Sequence, residues 1–126
     1  MTVLGFDLPT VRALSVMDNS GRCYIGLDNS RQYTPSQERT MLMHEMGHCQ
    51  TGAFYSEGTP LILRDKYEFK ADEWAILNFL PFDKLTEAYK AGNFNNFELA
   101  EYFGVSEQFV EKAVKYYLQK GKHYGT

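Results

Sequence analysis

Two histidines four residues apart, His44 and His48, flank a glutamate, Glu45, in the stretch TMLMHEMGHC. On an α-helix, residues i and i+4 lie on the same face, so both imidazole rings can reach one point. Zinc accepts two histidine nitrogens in that geometry. Glu45 lies about 100° around the helix from His44, where a carboxylate can reach a water on the metal without becoming a ligand. The spacing indicates a catalytic zinc helix; the alternative is two ordinary hydrogen-bonded histidines.

A catalytic zinc site needs a third protein ligand, because such sites take three and leave the fourth position for water. The remaining histidine, His123, lies in the C-terminal tail, whereas a predicted second helix carries Glu68, Asp72 and Glu73. Glu68 and Asp72 are one helical turn apart on the same face. Glu68 could coordinate zinc while Asp72 accepts a hydrogen bond from the outer nitrogen of a zinc histidine. The alternative is that these acids only solvate the helix surface.

The helix that carries the two histidines has clear start and stop signals. Thr34 is a good N-cap, Pro35 suits the first helical position, and Gln37 completes a capping box. Gly52 is typical of the residue that closes a helix. We therefore predict a helix from Pro35 to about Thr51.

The next part of the chain supplies the predicted second helix. Residues 52–65 contain two glycines and a proline, which predict a loop with a short extended piece at LILR. Residues 66–80, KYEFKADEWAILNFL, contain no helix breaker and stop at Pro81. Shorter helices are predicted over residues 83–91, 94–103 and 106–119.

The N-terminal segment has a different pattern, which predicts strands. Within residues 2–31, the short apolar runs RALSVMD and RCYIGLD are separated by the turn signal NSG. We predict one α+β domain over residues 1–126, with a small sheet at 1–31 packed on the histidine helix. Zinc-site helices follow at 34–81, within a chain whose C-terminal half is mostly helical.

Composition limits the partners and the compartment. The chain has 126 residues, 44% of them hydrophobic, and a net charge of −3, which gives no overall attraction to nucleic acid or anionic lipid. The N-terminus lacks signal-peptide features and no run of 18 apolar residues occurs, so we expect a cytoplasmic protein without a membrane partner. Cys23 and Cys49 are too few for a disulfide framework, which favours a reducing compartment. We expect Cys49 to be a small core residue rather than a ligand.

The two site segments together resemble a known family. HEMGH at residues 44–48, followed by EFKADEWAILNFLP at residues 68–81, is similar to the ImmA/IrrE family of zinc metallopeptidases. Its members show HExxH and then a glutamate that opens an E-x-x-A-N/D-x-F-A stretch, although Trp74 stands here where phenylalanine is commoner. The stretch LAEYFGVSEQFVEKAVKYY resembles the family's helix-turn-helix-like C-terminal segment, so the resemblance covers about residues 33–117.

The resemblance implies a minimal zincin-like fold and a zinc-dependent endopeptidase. It implies that His44, His48 and Glu68 bind Zn²⁺ and that Glu45 is the catalytic base. Relatives act on regulatory proteins, often repressors with helix-turn-helix domains, and commonly belong to phages or other mobile elements. A repressor-type protein is therefore the expected partner.

A competing function is a non-proteolytic binding module that holds a transcription regulator or DNA through its C-terminal helices. Residues 94–119 have the turn glycine Gly104 and the N-cap Ser106 of a helix-turn-helix unit. Acids alternate with lysines on its second helix, so no clear phosphate-binding face is predicted: Glu107, Glu111, Lys112 and Lys115. A structural or peptide-recognising role is favoured over contact with nucleic acid.

The sequence does not select the residue that would stabilise negative charge on a substrate carbonyl oxygen. Four side chains are conceivable, although each type is more often structural: Tyr55, Arg64, Tyr67 and His123.

Overall fold

The computed structural model describes residues 1–6 and 12–122, so His123 lies outside the described residues. Within these ranges the strands are β1 (Thr2–Phe6), β2 (Ala13–Met17) and β3 (Cys23–Asp28). The helices are α1 (Pro35–Thr51), α2 (Leu61–Phe79), α3 (Phe82–Lys90), α4 (Asn96–Phe103) and α5 (Glu107–Gln119). The predicted α+β class, a small sheet before a mostly helical half, is confirmed.

The sheet has the order β1-β3-β2, with β1 parallel and β2 antiparallel to β3. Strands β2 and β3 form the predicted hairpin. In the turn between them, the Asp18 carboxylate accepts hydrogen bonds from the backbone N–H groups of Ser20 and Arg22. Register places Ser15 opposite the fully buried Ile25. Since cross-strand partners share a face, Ser15 points with Ile25 toward α1, on which the sheet packs as predicted.

Helix α1 begins and ends as its local signals predict. The Thr34 hydroxyl accepts from the Gln37 N–H and the Gln37 side chain accepts from the Thr34 N–H, which completes the capping box. At the other end Gly52 has a left-handed φ of 69°, and its N–H donates to the carbonyl of His48. These contacts hold both histidines within one uninterrupted helix.

Helix α2 begins earlier than predicted, and the prediction of a short extended piece at LILR is wrong. Its first turn is Leu61–Arg64, where the carbonyl of Pro60 accepts from the N–H groups of Leu63 and Arg64. Ile62 is 82% exposed and pairs with no described strand. A short apolar run is compatible with a strand or with a helix. Here a proline precedes the run, and proline is well accepted at the start of a helix, which favours the helix.

Helices α1 and α2 approach very closely at Gly47. A Cβ atom there would overlap with the backbone carbonyl of Ala71, which is itself fully buried. Glycine removes that obstacle, so the two helix backbones lie side by side. Glu68 and Asp72 on α2 are thereby brought against the histidine face of α1.

The C-terminal helices form the larger core, whose largest fully buried side chains are Leu80, Leu85, Leu99 and Val110. The predicted helix-turn-helix-like pair is present: Gly104 ends α4 with a φ of 69°, and the Ser106 hydroxyl caps α5 by accepting from Phe109 N–H. The predicted helix starts at residues 83, 94 and 106 are each within two residues of the observed ones. The order of these three helices could be predicted because N-cap residues and glycines mark helix ends in the sequence.

The turn between α4 and α5 is docked on α1. The Arg39 guanidinium donates to the Gly104 carbonyl at 2.6 Å, and the Ser106 N–H donates to the Thr40 hydroxyl at 2.8 Å. The N-terminal end of α5 is consequently held against the helix that carries the two histidines.

Cys23 on β3 and Cys49 on α1 form a disulfide across the smaller core cluster. Cys49 is a buried core residue, as predicted, but the pairing itself was not expected. Disulfides persist mainly in oxidising surroundings, so this bond is at odds with the reducing compartment inferred from the cysteine count. It ties the sheet to the end of α1 beside His48.

Reduction of this disulfide is expected to lower the free energy of unfolding by about 3 kcal/mol, because it releases a loop that restrains the unfolded chain. The two cysteines are 26 residues apart in the sequence. Urea denaturation with and without a reductant measures the change, and Cys23→Ala provides a control that should not respond to the reductant. Equal midpoints for the oxidised and reduced wild type would contradict the prediction.

None of the described helices is both long enough and apolar enough to cross a lipid bilayer.

Candidate metal centre

Three side chains from α1 and α2 converge on one point. The Nε2 atoms of His44 and His48 lie 3.2 Å apart, and the Glu68 carboxylate is 2.7 Å from the first and 3.2 Å from the second. One atom from each residue lies within 4.8 Å of the others, so the group could hold a metal ion. Two imidazole nitrogens and one carboxylate oxygen are a donor set found in catalytic zinc sites. The structure thus brings together the three residues that the sequence singled out as ligands.

The outer nitrogen of each histidine is occupied by a hydrogen-bond partner. His44 Nδ1 is 2.7 Å from the Asp72 carboxylate, and His48 Nδ1 is hydrogen-bonded to the backbone carbonyl of Ala53. Both acceptors require a proton on Nδ1, so the Nε2 atom of each ring is the one directed at the shared point. Asp72 therefore contacts the nitrogen of His44 that faces away from the shared point.

Helix α5 also contacts this network. The Lys112 ammonium lies 3.2 Å from the second carboxylate oxygen of Asp72, which makes a chain from Lys112 through Asp72 to His44. Sequence spacing could not predict this contact, because Lys112 is 40 residues from Asp72 along the chain.

The surroundings of His44 favour positive charge at the shared point. Burial opposes the charge on His44, but hydrogen bonds with Asp72 and Glu68 raise its pKa to about 10. Burial likewise opposes ionisation of Glu68, yet hydrogen bonds from His44, His48 and Tyr55 hold its pKa well below the usual range. Two ionised carboxylates around two imidazoles also favour a divalent cation.

Glu45 lies beside the three donors. Its side chain is 3.9 Å from His44 Nε2, and the residue is only 7% exposed. Burial raises its pKa, while the two histidines and a hydrogen bond from the Ser15 hydroxyl oppose that rise. A carboxylate with a raised pKa can accept and return a proton near neutral pH. The sequence did not identify Ser15, and only the strand alternation that faces it toward α1 could have done so.

The cluster lines a cavity of about 880 Å³ between β2, α1, α2 and α5. Leu14 and Ser15 line it from β2, and Gln108 and Lys112 line it from α5. Tyr55, from the loop between α1 and α2, lines it next to Glu68. A volume of this size admits several residues of an extended peptide.

Glu73, the other acid considered for the metal, lies outside the cluster. Its carboxylate accepts a hydrogen bond from the Tyr116 hydroxyl at 2.8 Å. Glu73 is not one of the described residues that line the cavity. Of the acids on α2 that the sequence put forward, Glu68 and Asp72 face the histidines.

A helix pair that gathers two histidines and a glutamate beside a buried second glutamate, with a small sheet along the cavity, is the arrangement of a small zincin-like domain. Residues 10–115 match the family model Peptidase_M78, described as the IrrE N-terminal-like domain, and the chain belongs to this family. The resemblance to ImmA/IrrE proteins is thereby confirmed, and membership indicates a metallopeptidase. Neither a curated protein nor a solved structure matches the chain.

The contact between Asp72 and His44 carries a testable prediction. Asp72→Ala should weaken zinc affinity by about 10- to 100-fold, because the histidine ring loses the group that orients it. Asp72→Asn should be milder, since its amide oxygen still accepts the N–H bond but lacks the negative charge. Competition with a chelator measures the affinity.

The matched control is Glu73→Ala, which removes the neighbouring carboxylate and should leave zinc affinity unchanged. Unchanged affinity in Asp72→Ala would make Asp72 a solvated helix acid. Complete loss of zinc would instead make it a direct ligand.

Proposed function

We propose that the chain is a zinc-dependent endopeptidase in which His44, His48 and Glu68 hold the metal and Glu45 is the general base. The observation that carries the proposal is the convergence of three donor atoms within 4.8 Å of one another, with Glu45 beside them, on a cavity large enough for a peptide. Zinc fits this donor set of two nitrogens and one oxygen better than Mg²⁺ or Ca²⁺, which prefer oxygen ligands.

Each residue of the site has a definite task in peptide hydrolysis. When bound, zinc supplies a lowered pKa for water and polarisation of the scissile carbonyl. Glu45 accepts the proton of the attacking water and donates it to the leaving amine. Ser15 holds the Glu45 carboxylate from the sheet side. Asp72 and the Ala53 carbonyl fix the two imidazole rings.

Strand β2 offers a way to bind the substrate. Among the described strands it pairs only with β3, and its residues Leu14 and Ser15 line the cavity. An extended peptide can add to such an edge through main-chain hydrogen bonds. Pairing of this kind requires no free chain terminus, which supports cleavage within a chain.

The proposed substrate is a regulatory protein of the repressor type, as the family resemblance suggests. Helix α5 supports peptide recognition over DNA binding, because Gln108 and Lys112 line the cavity. In a DNA-binding helix-turn-helix unit the N-terminal part of the second helix enters the major groove. Here Arg39 and Thr40 hold that end against α1.

We place the endopeptidase and its repressor substrate in the cytoplasm. In that compartment the Cys23–Cys49 pair would be kept reduced.

The test is incubation of zinc-loaded protein with purified helix-turn-helix repressors, followed by mass spectrometry of the products. Wild type should cut one internal bond of its substrate, whereas Glu45→Gln should bind the repressor and leave it intact. A non-proteolytic binding module would replace the proposal if wild type and Glu45→Gln both bound the repressor uncut and relieved repression equally in cells.

A further inference from the structure

We propose that Tyr55 is a further catalytic residue, whose phenol hydroxyl donates a hydrogen bond to the carbonyl oxygen of the scissile bond as negative charge develops there. This inference rests on the proposed endopeptidase function and assigns one of its missing parts. The sequence left four side chains open for this role, and the structure separates them.

The Tyr55 hydroxyl lies at the metal-donor cluster. It donates to Glu68 Oε1 at 2.7 Å, and that same oxygen is 3.2 Å from His48 Nε2. The Tyr55 ring also contacts the His48 ring edge-on, with 6.4 Å between centroids. One hydrogen-bond length therefore separates the phenol from an atom proposed to bind the metal, which is where a polarised substrate carbonyl must come.

The ring is held in place while its hydroxyl remains within reach of a ligand. Tyr67 stacks on Tyr55 with 6.4 Å between centroids and 14° between ring planes, and the Arg64 guanidinium carbon lies 5.6 Å from the Tyr55 ring centroid. Tyr55 is nevertheless 42% exposed and lines the cavity. A rigid donor of this kind needs little reorganisation when charge develops.

The other candidates within the described residues are directed elsewhere. Arg64 donates through Nε to the Thr59 carbonyl at 2.8 Å and through Nη2 to the Glu57 carbonyl, so it stabilises the loop. Tyr67 supports the Tyr55 ring but does not itself line the cavity. Tyr55 is thus the candidate whose donor group faces the substrate space.

The hydrogen bond of Tyr55 would strengthen as the reaction proceeds. A cation bound by Glu68 draws on the lone pairs of that carboxylate and makes it a weaker acceptor. The substrate carbonyl oxygen becomes a stronger acceptor as it gains negative charge. An interaction that is stronger in the transition state than in the ground state accelerates the chemical step.

The experiment compares wild type, Tyr55→Phe and the control Tyr67→Phe, which removes the hydroxyl of the stacked neighbour. The probe is a phosphinic peptide, whose tetrahedral phosphorus carries an anionic oxygen in place of the scissile carbonyl. Tyr55→Phe should bind it at least about 10-fold more weakly and should lower kcat by about 100- to 1000-fold with little change in KM. Zinc affinity, measured by chelator competition, should stay within about 3-fold of wild type, and Tyr67→Phe should match wild type throughout.

Several results would overturn the inference. Equal phosphinic-peptide affinity in wild type and Tyr55→Phe would do so. A fall in zinc affinity as large as the fall in probe affinity would show that Tyr55 acts only through Glu68. An equal loss in Tyr67→Phe would show that the effect is not specific to the Tyr55 hydroxyl.

The probe separates this inference from the proposed function. If wild type binds the phosphinic peptide but cleaves no peptide, the endopeptidase proposal fails, while the affinity ratio still shows whether the Tyr55 hydroxyl bonds an anionic oxygen at this site. If wild type does not bind the probe at all, both proposals fail.

Discussion

Glu68→Ala is expected to lose its zinc, and His48→Ala is expected to do the same. Each change removes one of three donors, so zinc affinity should fall by about 100-fold or more. A residue that only hydrogen-bonds to a ligand typically changes zinc affinity by about 10- to 100-fold. In Glu68→Ala the two imidazoles would also lose the carboxylate that lies 2.7 and 3.2 Å from their Nε2 atoms. Metal analysis after gel filtration gives the zinc content per chain.

Glu73→Ala is the matched control for that experiment, because it removes a carboxylate from the same helix that is bonded to Tyr116 instead. It should retain zinc at the wild-type level. Equal zinc content in Glu68→Ala and wild type would move the third ligand elsewhere, with Asp72 the next candidate because its carboxylate lies 2.7 Å from His44.

Glu45→Gln is expected to keep zinc and lose hydrolysis. Glutamine has the same shape and can still bond Ser15, so the buried position should remain packed. It cannot accept a proton from water, and loss of a general base lowers kcat by about 10²- to 10⁴-fold. Steady-state hydrolysis of a fluorogenic peptide, with metal analysis of the same sample, measures both properties.

The control for Glu45→Gln is Glu38→Gln, an equivalent change in the first turn of the same helix. It should leave both zinc content and kcat at wild-type values. Hydrolysis by Glu45→Gln at the wild-type rate would require another base, and loss of zinc from it would place Glu45 among the ligands.

Local signals made much of the fold predictable. The capping box at Thr34 and the left-handed glycine at Gly52 involve residues a few positions apart, so the sequence alone predicted the bounds of α1. The same is true of the turn at Gly104 and the N-cap at Ser106. The histidine spacing and the one-turn separation of Glu68 and Asp72 also depend only on helical periodicity.

The features that the sequence did not show depend on contacts between distant residues. The hydroxyl of Ser15 faces Glu45 because of the strand register, and Lys112 reaches Asp72 because α5 packs beside α2. The Cys23–Cys49 bond likewise depends on how the sheet lies on α1. Spacing along the chain carries no information about these contacts.

Gly47 shows the same limit within the motif itself. The pattern HExxH allows any residue at its two variable positions, yet this one lies against the backbone of Ala71 and admits no Cβ. Its requirement for glycine is set by α2, and only the packed helix pair makes it visible.

The most direct test of the zinc endopeptidase account is a zinc titration of the metal-free protein, followed by hydrolysis of a peptide library. A zinc endopeptidase should show no hydrolysis without metal and a linear rise that ends at one zinc per chain. Wild-type hydrolysis that never exceeds the Glu45→Gln background at one equivalent of bound zinc would contradict it.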